Sequence, residues 1–498
     1  MCPSPPSATA GPEPARHQFD IDGGDTAPPE LIEKTVSSPT PHAPPTTTRS
    51  LLHLSTYASI VRYVTEGVFF ERPVDRLEFR STAPRSSIFV TQGENDTIVI
   101  DLNHQRFNIR PASSRQIIEL HTSHGDDTVY VASAFKNPFH IQTGDGNDTV
   151  VTLAKKSNVI TGAGDDMVMT GAGRSYINTG QGNDIVNVSG SGTTTAYLGS
   201  GADFFRGDAG RVFVEGGKGD DVLIGGQGHN IISGNDGDDL ITAGPATNVI
   251  YTGAGQNILD NIKDTDRIFT GSDITSLSEG RITPDTQIGT VFKVTSQPLS
   301  ETGLMIEGSD MFTERVQDDL RLLLGSANGH QLLKALTKSI RDSKKPITIA
   351  EFKHVRNGLY VPTLNDGTAF VVSGRPGTRA YGGTVYYNPT YSETEDIPLA
   401  TLYHELCHAY NFVTGSVFEG MSPDGHSGTK SAPMVNNLEL QVVGLPCNVE
   451  PFDFDADPST PARVTNPPPN HEKRVSHGMR RPLRKNHNYY AKKIYSKR

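Results

Sequence analysis

An aspartate recurs at Asp148, Asp166, Asp184, Asp203, Asp221 and Asp239, with Asn257 continuing the series, in steps of 18, 18, 19, 18, 18 and 18 residues. Each stands in a glycine turn followed by a short β-forming run, as in TGDGNDTVV, TGAGDDMVM, TGQGNDIVN, GGKGDDVLI and GNDGDDLIT. A segment this short cannot bury its own apolar face. Stacked at a fixed period, each coil covers the next, so the pattern specifies a solenoid. Degenerate copies around Asp127 and Asp96 extend the expected array toward the N-terminus.

A roll with two equivalent edges would show the acidic turn every nine residues. The intervening turns instead read SNVI, RSYI, HNII and TNVI, with Asn158, Ser175, Asn230 and Asn248 where a carboxylate would stand. The expectation is one acidic edge, closed on the opposite side by an Asn and Ser hydrogen-bond ladder. The acidic frames resemble the RTX nonapeptide repeats of secreted bacterial toxins and proteases, which form a parallel β-roll with calcium between turns. The resemblance implies that Asp148, Asp166, Asp184, Asp203, Asp221 and Asp239 hold calcium (Ca2+), with glycine supplying the positive φ that turns carbonyls toward a hard cation. The competing reading is a metal-free β-helix whose aspartates only cap turns.

Composition shifts divide the rest of the chain. Residues 1–50 are rich in Pro, Ser, Thr and Ala, too poor in apolar surface to offset ordering entropy, and are expected to be disordered, as a tail or a secretion signal. Residues 51–89 regain hydrophobic density and suit an N-terminal cap; 90–262 form the roll; 263–304 are a linker or lower cap. From 305 to 498 a new domain begins, helical through FTERVQDDLRLLLGSANGHQLLKALTKSI and then stranded through ITIAEF, AFVVSG and GGTVYYNP.

Within that domain, His404-Glu405-Leu406-Cys407-His408 places two imidazoles on one helical face with a carboxylate beside them. Asp396 and Pro398 mark the helix start, Leu399, Leu402, Leu406 and Ala409 give an apolar stripe, and Gly415 gives a stop. The pattern is that of zinc peptidases, whose metal needs a third protein ligand and one open position. Asn411 and Thr414 stand where the metzincin extension requires Gly and His. Glu439, on a second short helix in MVNNLELQVVGLP, is the best third ligand; Glu419, Asp424 and His426 are rivals. The spaced aspartates Asp453, Asp455 and Asp457 read as an acidic loop, because Pro458 and Val464 break the EF-hand pattern.

Residues 305–490, through GHQLLKAL, GGTVYYNP, LYHELCHAY, NNLELQVVGLP and HEKRVSHGMRRPLRKNHNYY, resemble the NleD/HopH-like zinc metallopeptidases, effectors injected by bacterial type III secretion systems. The resemblance implies that His404, His408 and Glu439 bind zinc (Zn2+), that Glu405 is the general base, and that Arg484 and Tyr489 stabilise the oxyanion. It implies a multidomain chain, a parallel β-roll or β-helix solenoid followed by an α+β zincin-like metallopeptidase domain. The expected partner is a host protein substrate, and the expected location is secreted, translocated into the host cytoplasm. The alternative is a calcium-dependent adhesion protein whose zinc domain is inactive or structural.

The remaining features bound function by exclusion. A net charge of −11 argues against nucleic-acid binding. Three cysteines cannot build a disulfide framework, and no apolar run reaches the length of a membrane span.

Overall fold

The computed structural model describes residues 18–23, 32–35, 47–65, 73–132, 134–208, 210–271, 274–276, 280–282, 290–294, 298–352, 358–364, 368–390, 397–423, 434–455 and 459–467. The expectations placed on residues 1–17, 24–31 and 36–46 and on Asp396, Asp424, His426, Asp457, Pro458, Arg484 and Tyr489 lie outside these; within the stretch expected to be disordered, Gln18–Asp22 and Ile32–Thr35 are strands.

Two 14-stranded sheets face each other over one apolar core. The first described strand, Gln18–Asp22, lies parallel on Gln105–Arg110, and Ile32–Thr35 lies antiparallel on Thr47–Leu54. Antiparallel strands follow: Thr47–Leu54, Ala58–Thr65 and Val74–Ser81 in one sheet, and Ser87–Gln92, Ile98–Leu102 and Gln105–Arg110 in the other. From Ile117–His121 to Ile274–Ser276 the chain alternates between the sheets, each strand parallel to the one a coil away, and Gly280–Ile282 then turns back antiparallel on Ile274–Ser276. The result is a β-solenoid of about 8 turns over residues 118–269. Asp96 is therefore not a coil position. It sits with Asn95 in the antiparallel connection after Ser87–Gln92, both residues at positive φ.

The 18-residue period exists because it returns the same residue type to the same place. Val129, Val150, Val168, Val186, Phe205, Leu223, Ile241 and Leu259 form one fully buried column. Ile141, Val159, Ile177, Ala196, Val214, Ile232, Ile250 and Ile268 form the facing one. Burying each of the larger side chains contributes about 1.5–3 kcal/mol, and only the neighbouring coils make that burial possible.

At the acidic edge each aspartate accepts from its predecessor's backbone. Asp148 N–H donates to Asp166 Oδ1, Asp166 to Asp184, Asp184 to Asp203, Asp203 to Asp221 and Asp221 to Asp239, at 2.7–3.0 Å; Asp239 N–H donates to Asn257 Oδ1. The coils approach so closely here that only glycine fits. Gly162 has φ of 109°, and a Cβ there would lie 2.2 Å from the Gly144 carbonyl oxygen of the adjacent coil.

The opposite edge carries the side-chain ladder, with one residue displaced from expectation. Ser157, not Asn158, aligns with Ser175, their hydroxyls 3.3 Å apart. Asn158 points outward one register position later and donates to the Thr390 carbonyl at 2.7 Å. Further along, Asn230 donates to Asn248 Oδ1 at 2.8 Å, and Asn248 to Asp266 Oδ1 at 3.1 Å. The single 19-residue step is absorbed at this edge as well. The turn between strands Ile185–Val188 and Thr193–Ser200 holds one residue more than that between Met167–Thr170 and Arg174–Gln181, and Gly190 in it has φ of 82°.

The C-terminal region is α+β. Strands Met305–Glu307, Ile347–Glu351 and Gly383–Tyr387 run parallel in that order, and Leu359–Pro362 pairs antiparallel on Gly383–Tyr387. The expected helical stretch forms two helices, α1 (Asp310–Gly325) and α2 (Ala327–Ser343), separated by Ser326, whose hydroxyl caps α2 by accepting from Gly329 N–H. Helices α3 (Pro398–Thr414) and α4 (Asn437–Val442) follow. The expected AFVVSG strand is not one: Phe370 and Val372 make only isolated bridges, to Val417 and Arg375. Phe312, Val316 and Leu320 of α1 share one buried cluster with Tyr176, Tyr197 and Phe213 on the outer face of the solenoid. No helix among the described residues is long and apolar enough to cross a membrane.

Candidate metal centre and active site

Helix α3 is buried on nearly every side, from Pro398 at its first turn to Val413, and Gly415 ends it in the left-handed conformation at φ of 68°. This fixes the His404 and His408 rings, which are 4 % and 6 % exposed with centroids 4.8 Å apart. Their Nε2 atoms lie 3.1 Å from each other.

Helix α4 brings the third group. Asn436 caps it, and Asn437 and Gln441 tie it to the chain leaving α3: Asn437 Nδ2 donates to the Glu419 carbonyl at 2.6 Å, Gln441 Nε2 to the Ser416 carbonyl at 2.7 Å, and Gln441 Oε1 accepts from Phe418 N–H at 3.1 Å. Glu439 Oε2 is thereby held 3.3 Å from His404 Nε2 and 3.7 Å from His408 Nε2. Glu419 is exposed and contributes only its carbonyl to this arrangement.

Three buried donor atoms separated by 3.1, 3.3 and 3.7 Å match three corners of a tetrahedron with bonds of about 2.0–2.1 Å, whose edges are about 3.3–3.4 Å. Glu439 Oε2 is fully buried and directed at both imidazoles, its only neighbours of opposite polarity among the described residues. Burial alone would push this carboxyl up; the facing His408 and His404 override it and hold it well below the usual carboxylate range. Two imidazoles and one carboxylate sharing a focus form a donor set that fits zinc.

Glu405, one residue after His404, points to a different anchor. Its Oε2 accepts the backbone N–H of Tyr360 at 2.7 Å. The approach requires glycine at the neighbouring position, since a Cβ on Gly358 would lie 2.4 Å from Glu405 Cγ. Tyr360 is itself fixed, donating its hydroxyl to the Gly382 carbonyl at 2.9 Å and packing on Phe412 of α3. Neither Gly358 nor Tyr360 was among the expected site residues. The strand they enter is four residues long and carries no motif.

The acidic row offers a second donor set. Asp127, Asp148, Asp166, Asp184, Asp203, Asp221 and Asp239 each leave Oδ2 buried without a hydrogen-bond partner among the described residues. Burial pushes the carboxyls up, Asp148 to about 6, Asp166, Asp184, Asp203 and Asp239 to about 7, and Asp221 to about 8. A file of unsatisfied hard oxygens beside glycine carbonyls fits calcium, which would supply the charge the buried row lacks.

A third grouping does not qualify. Glu78, Glu119 and His121 converge on a cleft of about 580 Å³ between the solenoid and the C-terminal region. Arg80 and Arg76 already pair with Glu78 and Glu119, at 3.0 and 3.3 Å. Arg80 also faces His121 Nδ1 at 3.4 Å, and His121 Nε2 faces the Glu119 and Glu78 carboxylates at 3.8 and 4.0 Å. The arrangement is an ion-pair network.

Comparison with known proteins agrees with this division of the chain. Residues 300–489 match the family model Peptidase_M91, described as an effector protein. Residues 160–190, 197–232 and 225–259 match the RTX calcium-binding nonapeptide repeat. No curated protein and no solved structure matches.

Proposed function

We propose that this chain, a Peptidase_M91 effector domain joined to RTX calcium-binding repeats, is a zinc-dependent endopeptidase that cleaves a host protein after delivery into the host cytoplasm. The observation that carries the reading is the convergence of His404 Nε2, His408 Nε2 and Glu439 Oε2 within 3.7 Å, next to a Glu405 that is not needed as a ligand. A zinc ion held by those three residues would polarise the scissile carbonyl and acidify the attacking water.

Glu405 is the general base. The Tyr360 N–H fixes its Oε2, so the carboxylate accepts the water proton at Oε1 and returns it to the leaving amine. The pocket around it excludes bulk water, since Glu405, His404 and His408 are all at most 6 % exposed. Leu359–Pro362 is the outermost described strand of its sheet and offers an extended substrate a backbone to pair with. By family resemblance, Arg484 or Tyr489 stabilises the oxyanion. A calcium-dependent adhesion protein with a structural metal would have no use for a buried carboxylate held beside the ligands by a main-chain donor.

The test is to incubate zinc-loaded protein with host-cell lysate, beside a Glu405→Gln control, and to identify new protein N-termini. Cleavages present with the wild type and absent with the control are expected. An equally active Glu405→Gln protein would overturn the proposal.

A further inference from the structure

The solenoid and the C-terminal domain are joined by a buried ionic chain. Arg315 of α1 has its guanidinium carbon 3.1 Å above the centre of the Tyr197 ring, pairs with Glu215 Oε2 of the solenoid at 3.4 Å, and donates to Asp319 Oδ1 one helical turn on. Asp319 Oδ2 accepts the Tyr387 hydroxyl at 3.1 Å. Arg315, Glu215 and Asp319 are 4 %, 1 % and 0 % exposed. Breaking a buried pair of this kind leaves an uncompensated charge, so its members move together or not at all.

Both ends of this chain lie at chemistry. Glu215 directly precedes Gly216, whose absent Cβ would lie 2.1 Å from Asp221 Oδ2, and its other oxygen accepts from Asn235 Nδ2 at 2.7 Å, in the turn that leads to Asp239. The same two turns touch α1 again, through Lys218 with Glu314 at 3.5 Å and Asp236 with Arg321 at 3.4 Å. At the far end, Tyr387 closes strand Gly383–Tyr387. Val385 of that strand pairs with Tyr360, whose N–H holds Glu405.

We propose that calcium in the turns at Asp221 and Asp239 orders the active site through Glu215, Arg315, Asp319 and Tyr387. The roll is then a regulatory part of the peptidase, and Arg315 is a positioning residue for the strand pair behind Glu405. The statement about Glu405 rests on the peptidase reading above; the physical coupling does not.

Hydrogen exchange of the full chain, with and without millimolar calcium, tests it without any substrate. Calcium is expected to slow exchange in residues 211–239 and, with the same titration midpoint, in 310–325, 359–362 and 383–387. Asp221→Asn should weaken the effect in α1 and the two strands by about threefold or more, whereas Asp148→Asn, four coils away, should leave it in place. Glu215→Gln should keep calcium protection in the roll and lose it beyond α1, with Arg315→Lys as a second variant. Wild-type protection that stops within the roll overturns the proposal, as does undiminished transmission in Glu215→Gln. A protein that passes this test yet cleaves nothing retains the coupling and loses the peptidase function.

Discussion

Tyr360 and Glu405 stand 45 residues apart in sequence, and the main-chain N–H of the first donates to the side-chain Oε2 of the second at 2.7 Å. A carboxylate anchored by backbone keeps its orientation whatever side chain position 360 carries. Tyr360→Phe should therefore retain most activity and lose mainly the hydroxyl bond to the Gly382 carbonyl, a stability cost of about 0.5–1.5 kcal/mol. Thermal unfolding beside peptidase assay checks this.

Gly358→Ala should do what Tyr360→Phe does not. Its Cβ would collide with Glu405 Cγ at 2.4 Å and displace that carboxylate. The expected result is a protein that binds zinc stoichiometrically and has lost activity by about 10²-fold, the scale of general-base catalysis. Metal content measured on the purified variant separates this from loss of the site.

Chemistry and metal binding should divide cleanly at the centre. Glu405→Gln should abolish cleavage and keep zinc. His404→Ala, His408→Ala and Glu439→Ala should each lose both, because two protein ligands rarely hold the ion. A Glu439→Ala protein with stoichiometric zinc would transfer the third-ligand role to Asp424 or His426.

The acidic row predicts an unusual pH dependence. In the folded roll burial raises the carboxyl pKa values, to about 6 at Asp148, about 7 at Asp166, Asp184, Asp203 and Asp239, and about 8 at Asp221, well above the value of about 3.9 in an unfolded chain. Between those limits the folded state holds more protons than the unfolded one, so without calcium stability falls as pH rises from about 4 to 8 and then levels off. Calcium binds the ionised row, so its stabilisation should grow over the same range and release protons. Melting in chelator at pH 5 and pH 8, repeated with calcium, is decisive: a chelated roll more stable at pH 8 contradicts it. The apolar columns and the Asn–Asp edge should keep the chelated roll folded at pH 5.

Much of this molecule was legible because it repeats. A period of 18 announces coils, and positions i and i+4 announce two imidazoles on one face, so Asp148 to Asp239 and His404 to His408 could be named from the chain alone. The displaced ladder has a simple cause: in RSYI the small polar residue precedes the buried pair directly, but SNVI offers Ser157 and Asn158 side by side, and a shift of one residue turns a β side chain to the other face. The strand Leu359–Pro362 was not visible, being four residues without alternation. Nor was the docking of α1. Arg315 and Asp319 have the spacing of an ordinary surface pair, and only the tertiary fold places Glu215, 100 residues earlier, against them.

The extra residue of the 19-residue coil sits at Ser189–Gly192, on the edge away from the aspartates. One edge of the roll thus tolerates insertion and the other does not, because an added residue at the acidic edge would break the chain of N–H donors running from Asp148 to Asn257. In evolution such a protein can lengthen by whole coils, or grow loops from its back, while the metal-facing edge stays frozen. The same asymmetry gives an engineer a row of permissive sites at which tags or binding loops can be displayed.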